Sequence, residues 1–357
     1  MKICFISPFC HGYFTGCGFG GAELQVVELA SMFARHGHDV TIITAPFSAA
    51  DAEGRIPDGV KIKKTPFRFY GGSNFFFLPD SLRLIFMLWK ENADFYFLKI
   101  PDDLLFQIGL MRFLRPHAKV FKLFASMVET EKRPGLVNKL HAMGVRLAHG
   151  FVFQTRQQER EAGKNWGIRG VLIRNIFSPP EIKDVSAKDI DLLWVGAFNQ
   201  WKAPEKLLEL AKSMPEKTFT VISKPCTPEY AALESELKSL PNVEYLGTIP
   251  SGKIGNYYAR TKVLICTSVV EGFPNTFLNA WFFKAPVISL TFACDDLLTE
   301  KNIGYVSESI EQMKEDISRL LADHELRQSM GDNGYAYVQN NHLAEQVYAK
   351  YEQLVLR

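Results

Sequence analysis

Two patterns of apolar residues alternate along this chain. Short apolar runs of roughly four to eight positions are separated by longer stretches where apolar residues return every three or four positions. The runs fit strands of a parallel sheet covered on both faces, and the longer stretches fit amphipathic helices. In the first half the runs predict strands over 2–9, 39–44, 94–100, 119–125, 150–155 and 171–176. Helices are expected over 21–36, 102–113, 136–148 and 156–166, with 10–20 as a glycine-rich loop. Ser178-Pro179-Pro180 then makes a stiff, non-helical connector. Beyond it the alternation starts again, with strands over 191–198, 219–223, 243–249, 263–266, 287–290 and 304–307. Helices are expected over 204–213, 228–239, 308–322 and 324–340, and from about 343 to the end. Two successive βαβ series predict an α/β protein of two Rossmann-like domains facing a cleft, one over 1–178 and one over 185–341.

The stretch 263–290 is the most informative. Its strand runs into a loop where Glu271 stands beside Gly272 and Phe273, and Pro274 suits the start of a helix because its fixed φ and missing N–H cost nothing there. Phe277, Leu278, Trp281 and Phe282 supply that helix's apolar face. Its N-terminus would aim the amides of Asn275, Thr276 and Phe277 at the mouth of the sheet, which is an anion site. A glutamate at the rim of a phosphate pocket is not suited to phosphate; it suits hydroxyl donors such as those of a sugar. In the same half, Lys202 follows the first strand and would point into the cleft, whereas a solvated loop lysine is the plainer alternative.

Gly16, Gly18 and Gly21 spell G-x-G-x-x-G after the first strand. A dinucleotide enzyme would place an acid at the end of the second strand, yet that strand ends Thr44-Ala45-Pro46 with no carboxylate before Asp51. The dehydrogenase reading is therefore disfavoured.

Composition narrows the partners. The 357 residues are 47% hydrophobic and 22% charged with a net charge of +2, which gives no electrostatic case for nucleic acid. Six cysteines include no C-x-x-C pair and read as free thiols of a reducing cytosol. The N-terminus shows no cleavable leader, and no apolar run reaches the roughly 18 residues of a membrane span. A cytoplasmic location, peripheral on the inner membrane face, is expected. Asp189-Ile190-Asp191 leads into a buried strand and does not follow one, so it reads as strand-edge solvation; no metal is expected. Over 55–92, Phe67, Phe69, Tyr70, Phe75, Phe76 and Phe77 interleave with Lys61, Lys63, Lys64, Arg68 and Arg83. That mixture reads as an acceptor side or a surface meeting an anionic membrane, or more plainly as a strand and core helix with solvated lysines.

EGFPNTFLNAW…APVIS, together with GGAE at Gly20–Glu23, resembles retaining GT-B glycosyltransferases of the GT4 type. The resemblance implies transfer of a sugar from a UDP- or GDP-linked donor to a glycan or glycolipid acceptor, with no metal and no separate cofactor. It implies that Glu271 contacts the donor sugar, that Lys202 contacts the diphosphate, and that Gly20 and Gly21 line the diphosphate side. It places Asn279 at the ribose contact, where the family has a second glutamate. Ala197 stands where the family has an arginine, with Arg174 or Lys224 as replacements, and Ser126 where it has a histidine. The last helix, 342–357, should cross back onto the first domain. The departures leave room for an epimerase or phosphorylase, or for a catalytically silent sugar-nucleotide binder.

Overall fold

The computed structural model describes all residues except 17–19, 49–54, 66–77, 100–103, 133–134, 181, 183–186 and 357. Gly18, Asp51 and the aromatic run from Phe67 to Phe77 thus lie outside the described residues. The chain forms two compact units, Met1–Ile176 with Ala344–Arg357, and Phe177–Leu343.

Unit 1 is built on a parallel sheet of β1 (Lys2–Ile6), β2 (Asp39–Thr44), β3 (Val60–Lys64), β4 (Phe95–Leu98), β5 (Lys119–Leu123), β6 (Gly150–Phe153) and β7 (Val171–Leu172). Their order is β3-β2-β1-β4-β5-β6-β7, with Ile3 in register with Val40 on one side and Phe95 on the other. The central strands are apolar on both faces because helices cover both. The helices are α1 (Cys10–Thr15), α2 (Gly21–Arg35), α3 (Leu78–Glu91), α4 (Leu105–Gly109), α5 (Met111–Leu114), α6 (Gly135–Leu147) and α7 (Arg156–Trp166). Against the expectation of a continuous loop over 10–20, α1 is helical, since Cys10 and Phe14 sit one turn apart and are both fully buried. It is too short for a periodic pattern to reveal. Gly16 ends it at φ 72°, and a Cβ there would overlap the Arg55 guanidinium.

Unit 2 repeats the plan with β8 (Ile190–Gly196), β9 (Phe219–Ser223), β10 (Val243–Gly247), β11 (Thr261–Cys266), β12 (Val287–Ser289) and β13 (Gly304–Val306). All are parallel, in the order β10-β9-β8-β11-β12-β13. Its helices are α8 (Pro204–Ser213), α9 (Ala231–Ser239), α10 (Ser251–Arg260), α11 (Asn275–Phe282), α12 (Leu297–Glu300), α13 (Ile310–Ala322) and α14 (His324–Asn341). The apolar pattern does not announce α10, because Gly252 and Gly255 lower its helix propensity; the fully buried Tyr258 holds it to the core instead. Helix α14 lies close against α11: a Cβ at Gly334 would stand 2.8 Å from the Trp281 ring, and one at Gly331 2.3 Å from Lys284 O. That contact seats α11.

The last helix, α15 (Ala344–Leu356), is part of unit 1. Val347, Tyr351 and Val355 recur every four residues and are buried there. The Tyr351 ring meets Phe33 and Phe97 edge-on at 5.8 and 6.0 Å.

Candidate functional site

In both sheets the strand order reverses next to the first strand, between β1 and β4 in unit 1 and between β8 and β11 in unit 2. Loops leaving the carboxyl ends of such neighbours run to opposite sides and open a crevice, where ligands of open α/β sheets bind. In unit 2 those loops are 197–203 and 267–274.

They are bonded to one another. Thr267 Oγ1 donates to Lys202 O at 2.7 Å and accepts the Trp194 indole N–H at 3.0 Å, and Val269 N donates to Trp201 O at 2.9 Å. Asn199 Oδ1 accepts from the amides of Trp201 and Lys202 at 3.1 and 3.0 Å, which folds the loop into an Asx turn. Ala203 then adopts φ 43° and ψ 59° just before Pro204, a strained conformation for a residue with a Cβ. It persists because the contacts around it over-determine the loop.

The Lys202 ammonium forms an ion pair with Glu271, with both side chains mostly shielded from water. Burial alone would lower the Lys202 pKa, but the charge of Glu271 outweighs it and holds the group above its ordinary value. Gly272, Phe273 and Pro274 are buried behind Glu271, and Phe273 stacks on the His342 ring at 5.0 Å. Pro274 caps α11 in an extended conformation. Of the three amides expected to be open, that of Phe277 is already used, donating to Pro274 O at 3.2 Å. Asn275 and Thr276 are half-buried at the same terminus. Asn279 lies one turn on, and its side-chain amide donates to Asn275 O at 2.8 Å. Ala197 follows β8, and Lys224 is exposed after β9, the neighbouring strand.

In unit 1, Gly20 caps α2 and its N–H is taken by the Glu23 carboxylate at 2.7 Å. This is half of a capping box, since glycine has no side chain to return the bond. Gly21 opens the helix. His11 is held at Pro8 O, 3.0 Å away. Ser126 caps a short turn in which buried Glu129 ion-pairs with buried Lys122 and accepts the Ala125 and Ser126 amides, both at 2.9 Å. Arg174 lies in unit 1, where it lines a small cavity with Gln25, Lys99 and Tyr351. Lys99 follows β4, is 3% exposed, and is pushed down to about 8 by burial. Sequence reading passed over Lys99, Lys122 and Thr267; a charged or hydroxyl residue inside or at the end of an apolar run is the signal they left.

Both carboxylates of Asp189-Ile190-Asp191 are in ion pairs, with Arg260 at 2.6 Å and Lys262 at 2.6 Å. Among the described residues no group of three or more potential ligands is placed to hold a metal ion. None of the described helices is long and apolar enough to cross a membrane.

Two parallel α/β units, each with its strand order reversing beside its first strand, make up the architecture of the GT-B fold. Residues 179–337, nearly all of unit 2, match the family Glycosyl transferases group 1. Over 335 residues the chain is 23% identical to the amylovoran biosynthesis glycosyltransferase AmsD of Erwinia amylovora, covering 87% of this chain and 89% of that one. Its fold is similar to sucrose-phosphate synthase from Thermosynechococcus elongatus, with a TM-score of 0.81, 16% identity and coverage of 99% and 98%. It is also similar to Anabaena Alr3699/HepE in complex with UDP-glucose, with a TM-score of 0.74, 14% identity and coverage of 99% of each chain.

Proposed function

We propose that the protein transfers a sugar from a nucleotide-diphosphate donor to a hydroxyl of a glycan or glycolipid acceptor, with retention of configuration and without a metal ion. The carrying observation is the Lys202–Glu271 pair, set between β8 and β11 beside the N-terminus of α11. As the sugar–phosphate bond breaks, negative charge grows on the diphosphate, and a preorganised ammonium lowers the barrier. Lys202 is that ammonium in this reading. Glu271 accepts bonds from the sugar hydroxyls, and Asn279 lies at the ribose. Donor binding then exchanges one partner of Lys202 for another, so the charge is never left bare.

The relatives support the donor and acceptor classes. One is held with UDP-glucose, and another carries amylovoran biosynthesis in its name. A UDP-linked sugar is accordingly the first donor to test, ahead of a GDP-linked one. A cytoplasmic location with peripheral membrane contact belongs to the same reading, because a growing glycolipid presents its sugar at a membrane. Donor hydrolysis measured on a panel of UDP-, GDP- and ADP-sugars, with and without EDTA, tests it. Turnover of one donor that persists in EDTA is expected. No turnover of any donor would overturn the reading in favour of a silent binder, and a Mn²⁺ requirement would overturn its metal-free chemistry.

A further inference from the structure

We propose that unit 1 docks on the surface of an anionic lipid bilayer through the outward face of α3 together with α5. Helix α3 is apolar on two opposite sides. Leu84 and Leu88, one turn apart, are fully buried against the sheet. At about 100° per residue, Leu82, Phe86 and Trp89 fall on the far side. They are 55%, 59% and 42% exposed, and the Phe86 and Trp89 rings stack with centroids 6.0 Å apart. Helix α5 packs against α3 and adds Phe113 and Leu114, 64% and 45% exposed. Large apolar side chains thus gather on one outward face of two contacting helices, where water gives them no stabilisation.

The rim of that face is basic. Arg83, Lys90 and Arg112 are exposed beside it, and the Arg115 guanidinium lies 4.7 Å from the Trp89 ring while donating to Trp89 O at 2.8 and 3.1 Å. Asp80 is engaged by Arg83 at 3.0 Å, and Glu91 is buried on the inward side with Lys2 and Lys63. Among the described residues, Lys90 and Arg112 have no carboxylate partner. Aromatic and aliphatic groups flanked by cations match the boundary between lipid headgroups and acyl chains. A second copy of the chain fits worse, because a two-fold contact sets this rim against its own cations, whereas lipid phosphates oppose it with the right sign.

The docking face is therefore not the lysines of β3. Lys61 pairs with Asp39 at 2.8 Å, Lys63 with Glu91, and Lys64 donates to Phe47 O at 2.7 Å while lying over the Phe47 ring. They guard an edge strand. The proposal deepens the glycolipid side of the proposed function by naming the surface that would bring the enzyme to its acceptor, and it rests on that reading only for its purpose.

Flotation of the full chain with phosphatidylcholine vesicles, with and without phosphatidylglycerol, tests it at low and high salt. Binding to the anionic vesicles is expected, weakening as salt rises. The double variant Phe86→Ser, Phe113→Ser should lower partitioning about tenfold or more. Lys90→Glu with Arg112→Glu should abolish the preference for anionic lipid, and Lys61→Ala with Lys64→Ala should change nothing. An unchanged melting temperature and unchanged UDP binding by calorimetry would show that the apolar variant is folded. Wild-type protein that ignores both vesicles, or variants that bind like wild type, would overturn the proposal. So would a dimer that the apolar variant converts to monomers, or a fall in melting temperature without vesicle binding, which would mean that the face is covered by a copy or by the chain's own residues. Vesicle binding without turnover of any donor would sink the transfer reading and leave the docking face standing.

Discussion

Lys202 and Glu271 are 69 positions apart in the chain and form a shielded ion pair. Each leaves the carboxyl end of a strand, Lys202 after β8 and Glu271 after β11, and those strands are hydrogen-bonded neighbours. Adjacent parallel strands deliver their following loops to the same edge of the sheet, so the pairing is a product of strand order. The buried Thr267 bridges Trp194 and the Lys202 backbone and keeps the two loops in register.

Replacing Lys202 by Ala removes the cation paired with Glu271 at that edge. A loss of roughly 10- to 100-fold in kcat/KM is expected, the effect of losing one charge-assisted contact to a developing anion. Circular dichroism should show an intact fold, because the loop backbone is held by Asn199 and Thr267 and not by the ammonium. Unchanged turnover would assign the phosphate to another cation.

Glu271→Gln keeps the shape of the side chain and removes its charge. Sugar hydroxyls then lose a charged acceptor as the transition state forms, so kcat should drop more than donor affinity. Steady-state kinetics with calorimetry separates the two. A variant with wild-type kcat would remove the sugar contact from Glu271.

Asn279→Glu introduces an acceptor for a ribose diol at the cost of the amide bond to Asn275 O, which contributes about 1 kcal/mol. Tighter UDP or GDP binding by calorimetry is expected, with chemistry neither rescued nor abolished. A lower melting temperature with no gain in affinity would show that Asn279 serves the helix alone.

Lys99 links stability to pH. Burial lowers it from 10.5 to about 8, so between these values the unfolded chain binds the proton more tightly than the folded one. The penalty for the charged form is fully present below pH 8 and is relieved as pH rises through that window, so this group makes stability rise with pH there. Lys99→Met should therefore stabilise the protein at pH 7, by on the order of 1–3 kcal/mol, and the advantage should shrink by pH 10. Thermal melts of both proteins at the two pH values measure it. An advantage that does not depend on pH would mean that packing, and not charge, sets the difference.

The sequence by itself determined the two parallel α/β units. Runs such as 40–43 and 219–222 are buried throughout and carry Val, Ile or Phe with threonine as their one polar residue type, because both faces of their strands are covered. Pro204 and Pro274 mark helix starts through their own backbone chemistry. Only the tertiary structure decided which of these loops meet. Nothing local to Lys202 points to Glu271; the strand order brings them together, and order follows from crossovers whose handedness operates over the whole unit. The same holds for Lys122 and Glu129, whose charges are tolerable inside the protein only because each answers the other. It holds again for α3, where the stretch from Leu82 to Trp89 is apolar on both sides. Periodicity records that two stripes exist, and only the packing against the sheet settles which one the core takes and which is left facing water.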